Sequence, residues 1–88
     1  MLSLGEIQAK MGGLRDWAIE GNSIAKVFSF GGFKECLEFV GKVGEIAIAK
    51  EHYPDILISF DRVRVSLSGS MDGICEKDFE VAGEIDGI

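Results

Sequence analysis

The sequence predicts an α+β fold in which four antiparallel strands form one sheet and three helices cover one of its faces. Two pairs of short apolar segments are each joined by a tight turn, which is typical of antiparallel hairpins. A long segment with helical periodicity separates the pairs, and shorter helical segments begin and end the chain. The order α-β-β-α-β-β-α is packed most simply as one sheet under a layer of helices.

The first half of the chain predicts a helix and a hairpin. Ser3 followed three residues later by Glu6 matches a capping box, which predicts a short helix ending near Gly12. Segment 14–20 predicts the first strand and segment 24–30 the second, with a turn signal between them. Trp17 and Ile19 are expected to share one face of the first strand. Ile24, Phe28 and Phe30 are expected to share one face of the second.

The second half predicts a long helix, a second hairpin and a last helix. Apolar residues recur at helical spacing from Phe33 to about Glu51, and Pro54 ends this helix because the residue before a proline favours extended geometry. Segments 56–60 and 63–67 predict the third and fourth strands, and a final helix is expected from Cys75 to Ile85. The helical residues expected to face inward are Phe33, Cys36, Leu37, Val40, Val43, Ala47, Phe79, Ala82 and Ile85.

The composition is that of a small globular protein. Of its 88 residues 47% are hydrophobic, and we expect a single domain over residues 1–88. The formal net charge is -6 with only 9 lysines and arginines, so direct binding to nucleic acid or to an anionic membrane is not expected. A core of this size gains stability from association, and the uncovered sheet face with Leu57, Ala25 and Val27 is the expected interface between copies.

Neither an export signal nor a membrane-spanning segment is recognisable, so the cytoplasm is the expected compartment. Cys36 and Cys75 are then expected to be free thiols, and Cys36, on the apolar stripe of the long helix, a small buried hydrophobe. Neither cysteine belongs to a CxxC pair, and together with His52, the only histidine, they offer few ligands for zinc. We therefore expect no metal and no cofactor.

A set of ordered landmarks carries a family resemblance over about residues 14–85. The landmarks are Trp17, Phe28-Ser29-Phe30, His52-x-Pro54-Asp55, Val63-x-Val65-x-Leu67, and Gly73-Ile74 followed by Asp78-x-x-x-Ala82. In this order they resemble the pterin-4a-carbinolamine dehydratase family, also called DCoH. The resemblance implies a four-stranded antiparallel sheet with three helices, assembled as a homodimer or homotetramer. Active members remove water from a 4a-hydroxytetrahydropterin, so a pterin is an implied ligand.

Several positions depart from the family pattern. The family usually carries two consecutive histidines before the proline and a third at the end of the fourth strand. His52 matches the first, whereas Tyr53 and Ser70 replace the other two. Ile48 and Ile56 stand where the family has a polar or acidic residue and a tryptophan. Since each general acid or base contributes about 10²–10⁴-fold to a rate, these losses predict an impaired or inactive dehydratase.

The resemblance assigns the candidate site. His52 is the expected catalytic acid or base, because the reference pKa of histidine lies near neutrality, and Tyr53 is expected to assist at most. The expected ligand-binding residues are Glu51, Pro54, Asp55, Ser68, Gly69, Ser70 and Asp78. Structural alternatives stay open: His52 as a partner of the helix terminus, Tyr53 as a surface aromatic, and Asp78 as a charge favoured by the helix dipole.

Three hypotheses for the function follow. The first and preferred hypothesis is a non-catalytic protein that binds another protein or assists assembly, because the scaffold pattern is intact beside a depleted site. The resemblance supplies precedents in the coactivator role of DCoH and in dehydratase-like proteins that assist RuBisCO assembly in α-carboxysomes. The second hypothesis is an active 4a-hydroxytetrahydrobiopterin dehydratase in tetrahydropterin recycling. A third is a small oligomer that binds a pterin without turning it over.

Overall fold

The computed structural model describes residues 2–68 and 73–88, and its elements follow the predicted order. The elements are α1 (Leu4–Met11), β1 (Ala18–Glu20), β2 (Ser23–Ser29), α2 (Phe33–Lys50), β3 (Asp55–Ser59), β4 (Arg62–Leu67) and α3 (Glu76–Asp86). The strands form one antiparallel sheet in the order β1-β2-β4-β3, so the two hairpins join through their second strands. The predicted fold class is confirmed.

The core lies between the sheet and the helices. Strand β4 shows the predicted alternation: Val63, Val65 and Leu67 are fully buried, whereas Arg64 and Ser66 are half-buried on the other face. The buried helical residues are Cys36, Phe39, Val43, Ala47, Asp78, Phe79, Val81, Ala82 and Ile85. Because the apolar residues of the central strands and the helices meet on one side, the position of α2 and α3 over the sheet is fixed.

The buried stripe of α2 differs from the predicted one. Phe33 and Leu37 are 54% and 50% exposed, so the expectation that they face inward is wrong. Phe39, which the pattern did not single out, is buried, and its ring centroid lies 4.6 Å from that of Phe28 and 5.0 Å from that of Phe30. The sheet covers only one side of α2. The helix has more apolar residues than fit on that side, so some of them remain exposed. Among the described helices, none is long and apolar enough to cross a membrane.

Strand β1 is shorter than predicted. Asp16 has a φ of 60°, in the left-handed region, and this conformation interrupts the extended backbone before Trp17. Trp17 is nevertheless buried as expected. Ile19 pairs with Ile24 and so lies on the side of the sheet that faces the core, but on this edge strand it remains 44% exposed.

The uncovered face of the sheet carries an exposed apolar pair. The register places Val27 opposite Arg64 and Leu57 opposite the same arginine, so all three share that face. Val27 and Leu57 are 53% and 61% exposed, as the sequence predicts. Ala25 lies on the same face but is already buried within the chain.

Candidate functional site

The end of α2 directs His52 into the protein. Helix α2 ends at Lys50, and Glu51 adopts the left-handed conformation with φ 52° and ψ 43°. The backbone N–H of His52 then donates to the carbonyl of Ala47 over 3.0 Å. This turn leaves His52 only 8% exposed. Its position at the helix end agrees with the structural alternative, but its side chain has a partner beyond that helix.

That partner is Asp78, in the first turn of α3. Its Oδ2 accepts the backbone N–H of Cys75, the residue before the helix, over 2.9 Å. Its Oδ1 is hydrogen-bonded to Nε2 of His52. Asp78 is 0% exposed, so one carboxylate caps α3 and ties it to the end of α2. Asp78 does lie in the first helical turn, as expected, but the sequence did not predict that it is buried or that it pairs with His52.

The pair is suited to proton transfer. Nε2 of His52 and Oδ1 of Asp78 are direct hydrogen-bond partners. An ionised carboxylate only accepts hydrogen bonds, so with that form of Asp78 the hydrogen is carried by Nε2. Nδ1 is then the nitrogen that can take a proton from a ligand or, in the imidazolium form, give one. The carboxylate also fixes the tautomer and stabilises the imidazolium as it forms. The structure thus brings together a buried histidine and a carboxylate that orients it, which is the arrangement that general acid–base chemistry uses.

The other predicted site residues differ in placement. Tyr53 is 69% exposed, which fits a surface aromatic. Glu51 and Asp55 are exposed, and Pro54 is half-buried. The hydroxyl of Ser68 donates to the carbonyl of Asn22 over 3.2 Å, which is a structural contact between the ends of two strands. Gly69 and Ser70 lie outside the described residues.

The sequence did not indicate that Cys75 lies beside His52 and Asp78. Its Sγ and the ligand atoms of His52 and Asp78 all lie within 4.8 Å of one another. The spacing Cys75-x-x-Asp78 was available as a signal, since residues three apart in a first helical turn are neighbours. The approach of His52 from another helix was not. Both cysteines are free, as expected, and burial raises the pKa of the Cys36 thiol, with Asp61 and Glu35 adding to the effect.

A second cluster lies at the other end of α3. The carboxylate of Asp86 accepts the indole N–H of Trp17 over 3.0 Å and a hydrogen bond from Nζ of Lys26 over 2.9 Å. That ammonium group also lies 4.8 Å from the ring centroid of Phe28. A cleft of about 450 Å³ opens beside it, lined by Phe28, Phe30, Glu35, Glu38, Phe39, Lys42, Ile85, Asp86 and Ile88.

The chain combines a four-stranded antiparallel sheet beneath helices with a buried histidine–aspartate pair between two of those helices, and the comparisons assign this combination to the pterin dehydratase class. The model of the family described as Pterin 4 alpha carbinolamine dehydratase matches residues 1–88, and the chain belongs to this family. A relative from Sulfolobus acidocaldarius is 40% identical over 88 residues, which cover 99% of this chain and 97% of the relative. A relative from Picosynechococcus is 40% identical over 82 residues, covering 92% and 89%. Both are named "Putative pterin-4-alpha-carbinolamine dehydratase".

Solved structures show the same architecture. The transcriptional coactivator/pterin dehydratase from Brucella melitensis superposes with a TM-score of 0.90 at 25% identity, over 98% of this chain and 95% of that one. A pterin dehydratase-like protein identified as a RuBisCO assembly factor in the α-carboxysome gives a TM-score of 0.71 at 20% identity, over 83% and 88%. The second likeness extends to the fold alone.

Proposed function

We propose that this protein is a 4a-hydroxytetrahydropterin dehydratase whose proton transfers depend on the His52–Asp78 pair. The observation that carries the proposal is the burial of both side chains together with their direct hydrogen bond. A histidine that only completed a helix end would need no buried carboxylate on another helix. The relatives that are 40% identical over nearly the whole chain carry the dehydratase name, which supports the same activity. Because of this pair, we now prefer an enzyme to the non-catalytic protein that the sequence favoured.

One histidine can serve both proton transfers in turn. The imidazolium of His52 donates a proton through Nδ1 to the departing 4a-hydroxyl, and the carbon–oxygen bond breaks to release water. The neutral imidazole then accepts the proton that leaves a ring nitrogen of the pterin, which restores the starting state of His52. Asp78 keeps the imidazole in one tautomer and stabilises its charged form. Protons and atoms balance: the substrate becomes a dihydropterin and one water molecule.

The expected rate is low for this family. Tyr53 and Ser70 replace the two further histidines that the family resemblance implies, and a tyrosine or a serine is a poor base near neutral pH. A single acid–base group supplies about 10²–10⁴-fold over the uncatalysed reaction. We expect turnover above background by an amount in that range.

The test is the dehydration rate of an enzymatically generated 4a-hydroxytetrahydropterin. The natural protein should exceed background, and His52→Ala should lose about 10²-fold or more of its rate. Tyr53→Phe is the matched control, because it changes the adjacent and mostly exposed side chain, and its rate should stay within about twofold. Circular dichroism verifies that each variant is folded. A natural protein at background rate, or a His52→Ala variant with full rate, would overturn the proposal.

The alternative function is binding of another protein, with RuBisCO assembly as its most specific form. The observation that favours it is the exposed pair Val27 and Leu57 on the uncovered sheet face, since apolar residues on an open face are typical of contact surfaces. A rate equal to background together with retention of purified RuBisCO large subunit would support this alternative. A measurable rate that depends on His52, with no retention, would exclude it.

A further inference from the structure

We propose that His52, Cys75 and Asp78 bind one divalent transition-metal ion of the zinc type. Their ligand atoms, a nitrogen, a sulfur and an oxygen, lie within 4.8 Å of one another. The histidine and aspartate side chains are 9% and 0% exposed, and Cys75 is half-buried. The three residues come from the end of α2 and the start of α3, so a bound ion would join these two helices.

The distances fit a shared ion after a small adjustment. Atoms bound to one tetrahedral zinc ion at about 2.0–2.3 Å lie about 3.3–3.8 Å apart. The largest separation in the cluster is therefore about 1 Å too long, which side-chain rotation can supply. Nε2 of His52 and Oδ1 of Asp78 are hydrogen-bonded and lie closer together than two ligands of one ion, so they would move apart to about 3.3 Å as the ion replaces the hydrogen atom.

The donor set selects the type of metal. Thiolate and imidazole ligands favour zinc and similar borderline ions, whereas magnesium and calcium favour oxygen ligands only. Three protein ligands leave a fourth position for water, as in open zinc sites. One thiolate and one carboxylate also balance the two positive charges of the ion, which lowers the cost of burying it.

A supporting hydrogen bond is already present. The backbone N–H of Cys75 donates to Oδ2 of Asp78, the oxygen that is not bonded to His52. This contact fixes the carboxylate relative to the backbone of Cys75 and leaves Oδ1 with His52. Hydrogen bonds of this kind to a ligating carboxylate orient it and strengthen metal binding.

The inference goes beyond the proposed dehydratase function and does not depend on it. An ion on Nε2 would replace the hydrogen bond on which the catalytic pair relies, so the metal-bound form is expected to be inactive. Binding can be measured without any substrate. Failure of either proposal therefore leaves the other standing.

The test is a titration of the reduced, metal-free protein with Co²⁺, which substitutes for zinc and absorbs light. We expect one equivalent to bind per chain, with a near-ultraviolet band from thiolate-to-cobalt charge transfer and visible bands of tetrahedral intensity. Subsequent addition of Zn²⁺ should remove these bands. Absence of the charge-transfer band in the natural protein would overturn the proposal.

The two cysteines supply a matched pair of variants. Cys75→Ala should lose the charge-transfer band and weaken Co²⁺ binding by more than about 100-fold, since loss of a ligand exceeds loss of an outer-shell contact. Cys36→Ala carries the same change at the buried cysteine on the core side of α2, and it should bind as the natural protein does. A band that survives in Cys75→Ala, or disappears in folded Cys36→Ala, would contradict the assignment.

A second measurement applies if Cys75→Ala does not fold. A ligand that binds only the folded state raises the melting temperature, so Zn²⁺ should stabilise both the natural protein and the Cys36→Ala variant. A His52→Gln variant should lose this response. An unchanged melting temperature of the natural protein in Zn²⁺, or an equal rise in His52→Gln, would overturn the proposal.

Discussion

The two ends of α3 each hold an aspartate with partners on other elements, but the two carboxylates are partnered differently. Asp78 lies in the first turn, where the helix dipole favours negative charge, and is bonded to His52 and to the N–H of Cys75. Asp86 is the last helical residue, where the dipole disfavours negative charge, and Lys26 and Trp17 offset this effect. A histidine can exchange its proton near neutral pH, whereas an ammonium and an indole keep theirs. The Asp78 end is therefore the one that the proposed function uses.

The largest expected effect is on stability. Asp78→Ala leaves His52 and the Cys75 N–H without their acceptor in a buried location, and should lower the free energy of unfolding by about 3–5 kcal/mol. Asp86→Ala removes a carboxylate whose side chain is 20% exposed, so about 1–3 kcal/mol is expected. Urea denaturation measures both values. Equal losses would remove the distinction between the two ends.

Substitutions at the two ends of α3 should differ more in dehydration rate than in stability. Asp78→Asn keeps the shape of the side chain but removes the charge that stabilises the imidazolium, so the dehydration rate should fall by about 10²-fold or more. Asp86→Asn, the same change at the other end, should leave the rate of the folded protein within about twofold. Rates are compared below the melting temperature of each variant. A similar loss in both would show that the effect comes from stability.

The cysteines extend the comparison to thiol reactivity. Cys75 is half-buried beside Asp78, whereas Cys36 is fully buried and its thiol pKa is raised by burial and by the charges of Asp61 and Glu35. Because alkylation requires the accessible thiolate, iodoacetamide should modify Cys75 at least about tenfold faster. Mass spectrometry of peptides identifies the labelled cysteine. Preferential labelling of Cys36 would mean that the contact between α2 and the core opens more readily than the start of α3.

The smallest expected effect concerns Glu6, at the start of α1. This helix contacts the start of α3 through the Lys10–Glu76 ion pair at 3.2 Å. Hydrogen bonds from the backbone and side chain of Ser3 lower the pKa of the Glu6 carboxyl below its usual range. A carboxyl whose pKa is lower in the folded state stabilises the protein at any pH above its pKa in the unfolded state. This contribution is lost as the pH falls through the pKa of the folded state.

Glu6→Gln isolates that contribution. The variant should be slightly less stable than the natural protein at neutral pH, and the difference should disappear as the pH falls through the lowered pKa of Glu6. Thermal melting across this range provides the measurement. A difference that grows on acidification would contradict the assigned sign.

Local patterns predicted most of the fold, because the signals lie within a few residues of one another. The alternation of Val63, Val65 and Leu67 and the Ser3–Glu6 capping box both have the predicted form. The candidate site depends on contacts between distant segments. The family resemblance named His52 and Asp78, but no periodicity shows that they share a hydrogen atom. Neither does the sequence show which apolar residues of α2 remain uncovered.

The left-handed conformation of Glu51 has a consequence for protein engineering. A residue with a Cβ pays about 1–2 kcal/mol in this region of backbone space, and glycine does not. The left-handed conformation of Glu51 therefore lowers the stability of the natural protein, at the position that turns the chain toward His52. Laboratory evolution for heat resistance should therefore recover Glu51→Gly early, because this substitution relieves the backbone while it preserves the turn.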